Sequence, residues 1–369
     1  MTSLEQDLLR DPSRVQGGDL TDLPDGLITL NLSLCTNRLG PPPAAIAALH
    51  DFLDHDAHRL MPPPYEAARP PYRADRRYLQ AFADRLGVDE QDMVAGRGVT
   101  EFIVILARLL STSNVAIITP EYTETTRRFS YADFAGPDAG ARDTAELRSH
   151  RVHQAMRTHD YVMLSNPSNP MGHYIPREQL LRACTDNPSS VLIVDEEYIA
   201  FQGDGKSLAG AEVTNLLILQ STGKTYGITG TRAGMLWTHH ARLRQAVTEQ
   251  LPTWPLSLLD IVLATAALQD TTWLPGALAQ IAADARRLHH LLTHHFGDAV
   301  AEADIHYRFV HTNQPYEALE HLQAHGISAR LFTSTPRGGV SGLRLMTPTS
   351  EAEFKQLSTA LETLQHGQH

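Results

Sequence analysis

Three short segments carry side chains whose chemistries complement one another. Lys224 lies in Ser221-Thr222-Gly223-Lys224-Thr225-Tyr226-Gly227, and Arg232 follows in Thr231-Arg232-Ala233-Gly234. Upstream lie Asn166-Pro167-Ser168-Asn169-Pro170-Met171-Gly172 and Val194-Asp195-Glu196-Glu197-Tyr198. A lysine amine forms an imine with an aldehyde, but its intrinsic pKa of about 10.4 must be lowered by neighbouring positive charge or an apolar pocket. A buried aspartate keeps a pyridine nitrogen protonated, so that the ring acts as an electron sink. Asn169 and Tyr198 suit a ring phenolate, while Arg232 and Ser221 suit a phosphate dianion, arginine being adapted to bidentate oxyanion binding. The set points to a pyridoxal 5'-phosphate site.

Elements must place these groups together. The apolar run Val191-Leu192-Ile193-Val194 reads as a buried strand that delivers Asp195 to its C-terminal edge, where open α/β sheets bind ligands. Gly96-Arg97-Gly98-Val99-Thr100-Glu101 precedes an apolar run of helical length, and a glycine turn opening a helix offers free N–H groups and the positive dipole end to an anion. Gly98, Val99 (through its backbone) and Thr100 are therefore expected in the phosphate cradle. Tyr122, just after the strand candidate 115–118, is expected to cover the face of the ring.

Further strand candidates at 161–164, 191–194, 216–219 and 234–237 alternate with helical stretches such as 99–110, 177–184 and 256–268. That is the pattern of an α/β protein with a largely parallel sheet wrapped by helices. Residues 270–295 read as a long amphipathic helix and 305–346 as an α+β segment. The expected division is an N-terminal segment, 1–44, a large domain, 45–260, and a small domain, 261–369.

Taken singly, each motif has a plainer reading: a turn at Asn169-Pro170, a solvated lysine, a packing aromatic. Their ordered combination favours the cofactor site. A phosphate-binding P-loop around Gly223-Lys224-Thr225 would need glycine at 218, where Ile218 stands, and a dinucleotide fingerprint from Gly96 would need glycine at Glu101. His289-His290 and His294-His295 lie a helical turn apart without accompanying carboxylates or cysteines, so no metal is assigned.

Composition sets limits. The 369 residues, 42% hydrophobic, suffice for a large and a smaller domain with buried cores. The net charge of -11 argues against a nucleic-acid or acidic-membrane surface as the main function. Two cysteines, Cys35 and Cys184, cannot form a disulfide framework, and a reducing cytoplasm is expected. The N-terminus lacks the pattern of an export signal, and no apolar run approaches about 20 residues, so no membrane span is expected.

On these motifs the chain resembles fold-type I pyridoxal-phosphate enzymes of the class I/II aminotransferase family, closest in pattern to histidinol-phosphate aminotransferase and threonine-phosphate decarboxylase. The resemblance runs from Asn31 to beyond Arg344. It implies Lys224 as the imine lysine, Asp195 as the ring aspartate, Asn169 and Tyr198 as phenolate partners, and Arg232 as the phosphate arginine. It also implies that the segment around Asn37 closes over the substrate and that Arg344, in Gly342-Leu343-Arg344-Leu345, holds the substrate α-carboxylate. A tyrosine crossing a dimer interface to the partner's phosphate falls on Tyr72 in preference to Tyr65, within the proline-rich stretch 61–72. Asn37 is followed by Arg38 where relatives have proline, and Met171 replaces threonine.

The resemblance implies an enzyme, a cytoplasmic homodimer acting on small molecules, with an amino acid and a 2-oxo acid as substrates and Lys224 as general base. Decarboxylation, oxidation, elimination and cyclisation stay open, because the cofactor motifs do not set which bond at Cα breaks. Arg330 or Arg337 is available for an anionic group on the substrate side chain. A non-catalytic regulator would need an attached DNA-binding domain, which the residues before 28 are too short to form.

Overall fold

The computed structural model describes residues 20–21, 23–60, 73–137, 142–203, 205–335 and 338–364. Strand β1 (Leu30–Asn31) precedes a larger group: β2 (Met93–Gly96), β3 (Val115–Ile118), β4 (Asp133–Ala135), β5 (Tyr161–Ser165), β6 (Val191–Asp195), β7 (Leu216–Ser221) and β8 (Gly234–Trp237). These last seven form one sheet in the order β2-β8-β7-β6-β5-β3-β4. The strands from β7 to β4 are parallel, whereas β8 runs antiparallel to both β7 and β2.

The sheet is largely parallel, as expected, and the antiparallel β8 has a topological reason. Parallel neighbours need a crossover element, but β7 is joined to β8 by a loop, residues 222–233, that carries no helix and simply turns back. Lys224 and Arg232 thus sit at the two ends of one loop over the C-terminal edge of the sheet. Strands β2 and β4 have short runs with little patterning and were not expected.

Both faces of the sheet are covered, which is why its strands read as unbroken apolar runs. Leu192, Val194, Leu216 and Ile218 enter the core on one face, while Val191, Ile193, Leu217 and Leu219 enter the core on the other. The first face is covered in part by the helix Leu258–Gln269, apolar all round, packed between the helices Pro43–His55 and Arg73–Leu86. Ser257 caps it, accepting from the Asp260 amide at 3.0 Å.

A separate core gathers around β9 (Tyr307–His311), β10 (Ile327–Ser328), β11 (Arg330–Phe332) and β12 (Gly342–Met346). Strand β12 lies between β9 and β11, and β1 pairs with β10, so Leu30, Leu32 and Cys35 belong to this core. The helix Trp273–Phe296 connects the two regions: Leu274 packs in the sheet core, Leu288 and Leu292 in the second. No helix among the described residues is long and apolar enough to cross a membrane.

The closest backbone approach beside the loop is between two glycines. A Cβ on Gly234 would lie 2.5 Å from Gly98 Cα, and Gly98 itself has φ +70°, a conformation glycine adopts freely. Gly234→Ala should therefore destabilise the fold by about 1–3 kcal/mol, the usual cost of overpacking, read as a lower urea midpoint. An unchanged midpoint would show that the two backbones are not in contact.

Candidate active site

The parallel strands end at one edge, and the chain just beyond them supplies the site. One cavity is lined by Gly98, Val99, Thr100, Tyr122, Asn169, Asp195, Tyr198, Ser221, Lys224, Arg232 and Arg344, residues spread over nearly 250 positions of sequence. The second core contributes Arg330 and Phe332 to the same cavity, and the segment after β1 contributes Ser33, Leu34 and Cys35.

Asn37 is not brought to the cavity. Its Nδ2 donates to the Thr225 carbonyl and its Oδ1 accepts from the Leu39 amide, both at 2.9 Å, while its own amide donates to the Lys224 carbonyl at 2.9 Å. With both ends of its amide engaged by backbone, Asn37 braces the lysine loop from behind. Tyr72, Tyr65 and Arg337 lie outside the described residues.

At one end of the cavity the helix Gly98–Leu109 begins without a side-chain cap, leaving its first N–H groups directed at the cavity. Arg232 lies against the same turn: a Cβ on Gly98 would meet its Nη2 at 3.0 Å. A guanidinium beside an uncapped helix N-terminus is suited to a multiply charged oxyanion. Ser221 completes this end, its Oγ accepting from the Gly223 amide at 3.1 Å and donating to Glu197 Oε1 at 2.7 Å.

At the other end of the strand edge Asp195 is buried, with Oδ1 accepting from the Glu197 amide at 3.0 Å. No salt bridge reaches it among the described residues. Burial pushes its carboxyl well above the ordinary range, and Glu197 and Glu121 add to the effect. A protonated ring nitrogen would supply the missing positive charge. Burial lowers the Lys224 ammonium, assisted by Arg344 and Arg232 and opposed by Glu197 and Cys35, which leaves an amine closer to its nucleophilic form.

The wall facing Lys224 is cationic. Arg344 donates from Nη1 to Asn169 Oδ1 at 2.7 Å and from Nη2 to the Ser33 carbonyl at 3.2 Å, and its guanidinium lies 5.3 Å from the Tyr307 ring centroid. Arg330 is its cross-strand neighbour on β11. Burial, with Arg344 beside it, lowers Arg330 to about 10.

Sequence reasoning missed a buried ion pair beneath the site. Glu121 accepts from the Tyr122 amide at 2.7 Å, the Ser165 amide at 2.5 Å and Arg148 Nη2 at 3.0 Å. Arg148, fully buried, also donates to the Pro120 carbonyl at 2.9 Å. The pair ties the turn carrying Tyr122 to the end of β5. Its partners lie 27 residues apart in unrelated segments, and only the buried placement of two charged residues reveals it.

The fold agrees with comparison to known proteins. The chain belongs to the class I and II aminotransferase family, whose model matches residues 28–357. It is 26% identical over 348 residues to histidinol-phosphate aminotransferase 2 of Dechloromonas aromatica, covering 92% of each chain. The fold is similar to that of histidinol-phosphate aminotransferase from Sinorhizobium meliloti in complex with pyridoxal-5'-phosphate, with TM-score 0.73 and 20% identity over 90% of each chain. It is also similar to that of L-threonine-O-3-phosphate decarboxylase from Porphyromonas gingivalis, with TM-score 0.71 and 20% identity over 90% of this chain and 98% of that one. The family uses pyridoxal 5'-phosphate, and the cavity fits it: an uncapped helix with Arg232 suits the phosphate, an unpaired buried carboxylate suits the ring, and an amine lines the same cavity.

Breaking a buried ion pair by removing one partner costs roughly 3–5 kcal/mol, and here the 3.9 Å contact of Arg148 with buried Asp143 leaves it partly compensated and places the loss toward the lower end. Glu121→Ala should show that loss in chemical unfolding together with weaker cofactor retention. Wild-type stability in this variant would mean that Arg148 does not depend on Glu121.

Proposed function

We propose that this aminotransferase takes the amino group from an amino acid that carries a second anionic group and passes it to a 2-oxo acid. The observation that carries the reading is the pairing of Arg344 and Arg330 on one wall of the cavity that holds Lys224. Two adjacent guanidiniums, neither with a carboxylate partner among the described residues, are matched by two anionic groups on one ligand.

When bound, pyridoxal 5'-phosphate supplies the electron sink that makes a proton at the substrate Cα acidic. The chain's own residues do the rest. Gly98, Val99 and Thr100 at the helix start, with Ser221 and Arg232, hold the phosphate. Asp195 would pair with the ring nitrogen, Asn169 and Tyr198 would serve the phenolate oxygen, and Tyr122 would cover one face of the ring. Lys224 would anchor the cofactor and, as the free amine beside the bound substrate, would accept the Cα proton as general base. Arg344 fixes the α-carboxylate, and Arg330 with Phe332 receives the side chain. The 2-oxo acid then binds the same arginines for the return half-reaction.

The division into a sheet domain and a smaller one, joined by the helix Trp273–Phe296, belongs to the same proposal, since the cavity is walled by both. So do a homodimer, with Tyr72 reaching the partner's phosphate site, and a cytoplasmic location, which two buried free cysteines suit.

The deciding experiment adds a panel of amino acids, dicarboxylic and phosphorylated ones among them, to the cofactor-loaded enzyme without any oxo acid. The expected result is loss of the visible cofactor band with stoichiometric 2-oxo acid and pyridoxamine phosphate, restricted to substrates with a second anion. A band that recovers while carbon dioxide accumulates would contradict transamination. Arg344→Ala should lower kcat/KM by roughly 10–100-fold, the weight of charged hydrogen bonds to a carboxylate. A change of less than twofold for every accepted amino acid would remove Arg344 from that role.

A further inference from the structure

Glu197 sits between Asp195 and Tyr198 and faces the same cavity as Lys224. Its Oε1 accepts the Ser221 hydroxyl proton at 2.7 Å, while Ser221 Oγ also accepts the Gly223 amide at 3.1 Å. Its Oε2 is buried and has no hydrogen-bond partner among the described residues. A serine hydroxyl has one proton to give. As long as that proton is directed at an ionised Glu197, Ser221 has none for a phosphate dianion, and the nearby carboxylate repels the dianion as well. Protonating Glu197 reverses the bond: the acid donates to Ser221 Oγ, whose own proton is then free for a phosphate oxygen. Ser221 still accepts two hydrogen bonds and donates one.

We infer that Glu197 is a positioning residue that sets the direction of the Ser221 hydroxyl, so that binding the cofactor's phosphate transfers one proton from solvent to the Glu197 carboxylate. This rests on the reading of Ser221 as a phosphate ligand. Glu197 is faced by Asp195 and Tyr198 from its own segment, by Lys224 and Arg232 from the loop 222–233, by Tyr78 from the helix Arg73–Leu86, and by Tyr122 from the turn after β3. Burial is the largest influence and holds the Glu197 carboxyl above its ordinary range, against the pull of Ser221, Lys224 and Arg232. An arriving phosphate adds like charge and raises it further. Affinity is then greatest below the free-enzyme value of Glu197. It falls by up to about tenfold per pH unit until the bound-state value is passed.

The test titrates the full chain, stripped of cofactor, with pyridoxal 5'-phosphate by calorimetry in buffers of different ionisation enthalpy, over a range of pH. Wild type, E197Q and S221A are compared; Gln keeps the size of Glu and presents a permanent donor to Ser221. Protons exchanged at Lys224 and the phosphate are common to all three, so the differences isolate Glu197. The expected result is that wild type takes up one proton more than E197Q, which binds with the shallower pH dependence. S221A should bind about tenfold or more weakly and lose the extra proton, since hydrogen bonds to charged groups contribute this much. If S221A weakens binding but wild type and E197Q take up equal numbers of protons, Ser221 remains a phosphate ligand and the Glu197 inference is overturned. If S221A binds like wild type, the phosphate role of Ser221 fails, and the inference fails with it.

Discussion

The structure is organised around a buried carboxylate that has no counter-charge of its own. Asp195 ends a strand buried on both faces, and its neighbours Glu197 and Glu121 make the ionised form still more costly. A fold carries such a group at a functional edge when a cation arrives with the ligand. The parallel strands, the loop 222–233 and the helix start at Gly98 all converge on the space in front of it. Cofactor binding and the completion of the core's electrostatics are, on this account, one event.

The surrounding charges follow from that arrangement. On the proposed reading Arg232 and the helix N-terminus answer a phosphate and Arg344 and Arg330 answer the substrate; burial lowers the Lys224 ammonium, and Arg344 and Arg232 lower it further. On that reading each of these cations is matched by an anion during turnover, and Asn169, Ser33 and Tyr307 hold Arg344 in place meanwhile. The buried Glu121–Arg148 pair performs a different task. It fixes backbone turns that carry Tyr122 and the end of β5, so the site rests on rigid supports rather than on free loops.

Much of this was legible in the sequence because it is local. Apolar runs ending at Asp195 and Ser221 mark strands, and the glycines at 96 and 98 before an apolar stretch mark a helix opening toward an anion. Long-range relations were not legible. The antiparallel return of β8 depends on a loop that lacks a helix, not on the strand's own residues. Asn37 was read as a substrate residue from the family pattern, but its amide is taken up by the backbone at Thr225 and Leu39. Glu121, Arg148 and Glu197 are charged residues of a kind that usually reads as surface, and only their burial and partners give them meaning.

The central claim is that the amine of Lys224 holds the cofactor within this cavity. The chain contains three lysines, Lys206, Lys224 and Lys355, and only Lys224 lines the cavity. Reduction of the cofactor-loaded enzyme with borohydride, followed by peptide mass mapping, tests the claim directly. The account predicts one phosphopyridoxyl group per chain, on the peptide bearing Lys224. Stable attachment at Lys206 or Lys355 instead, or no attachment at all, would contradict it.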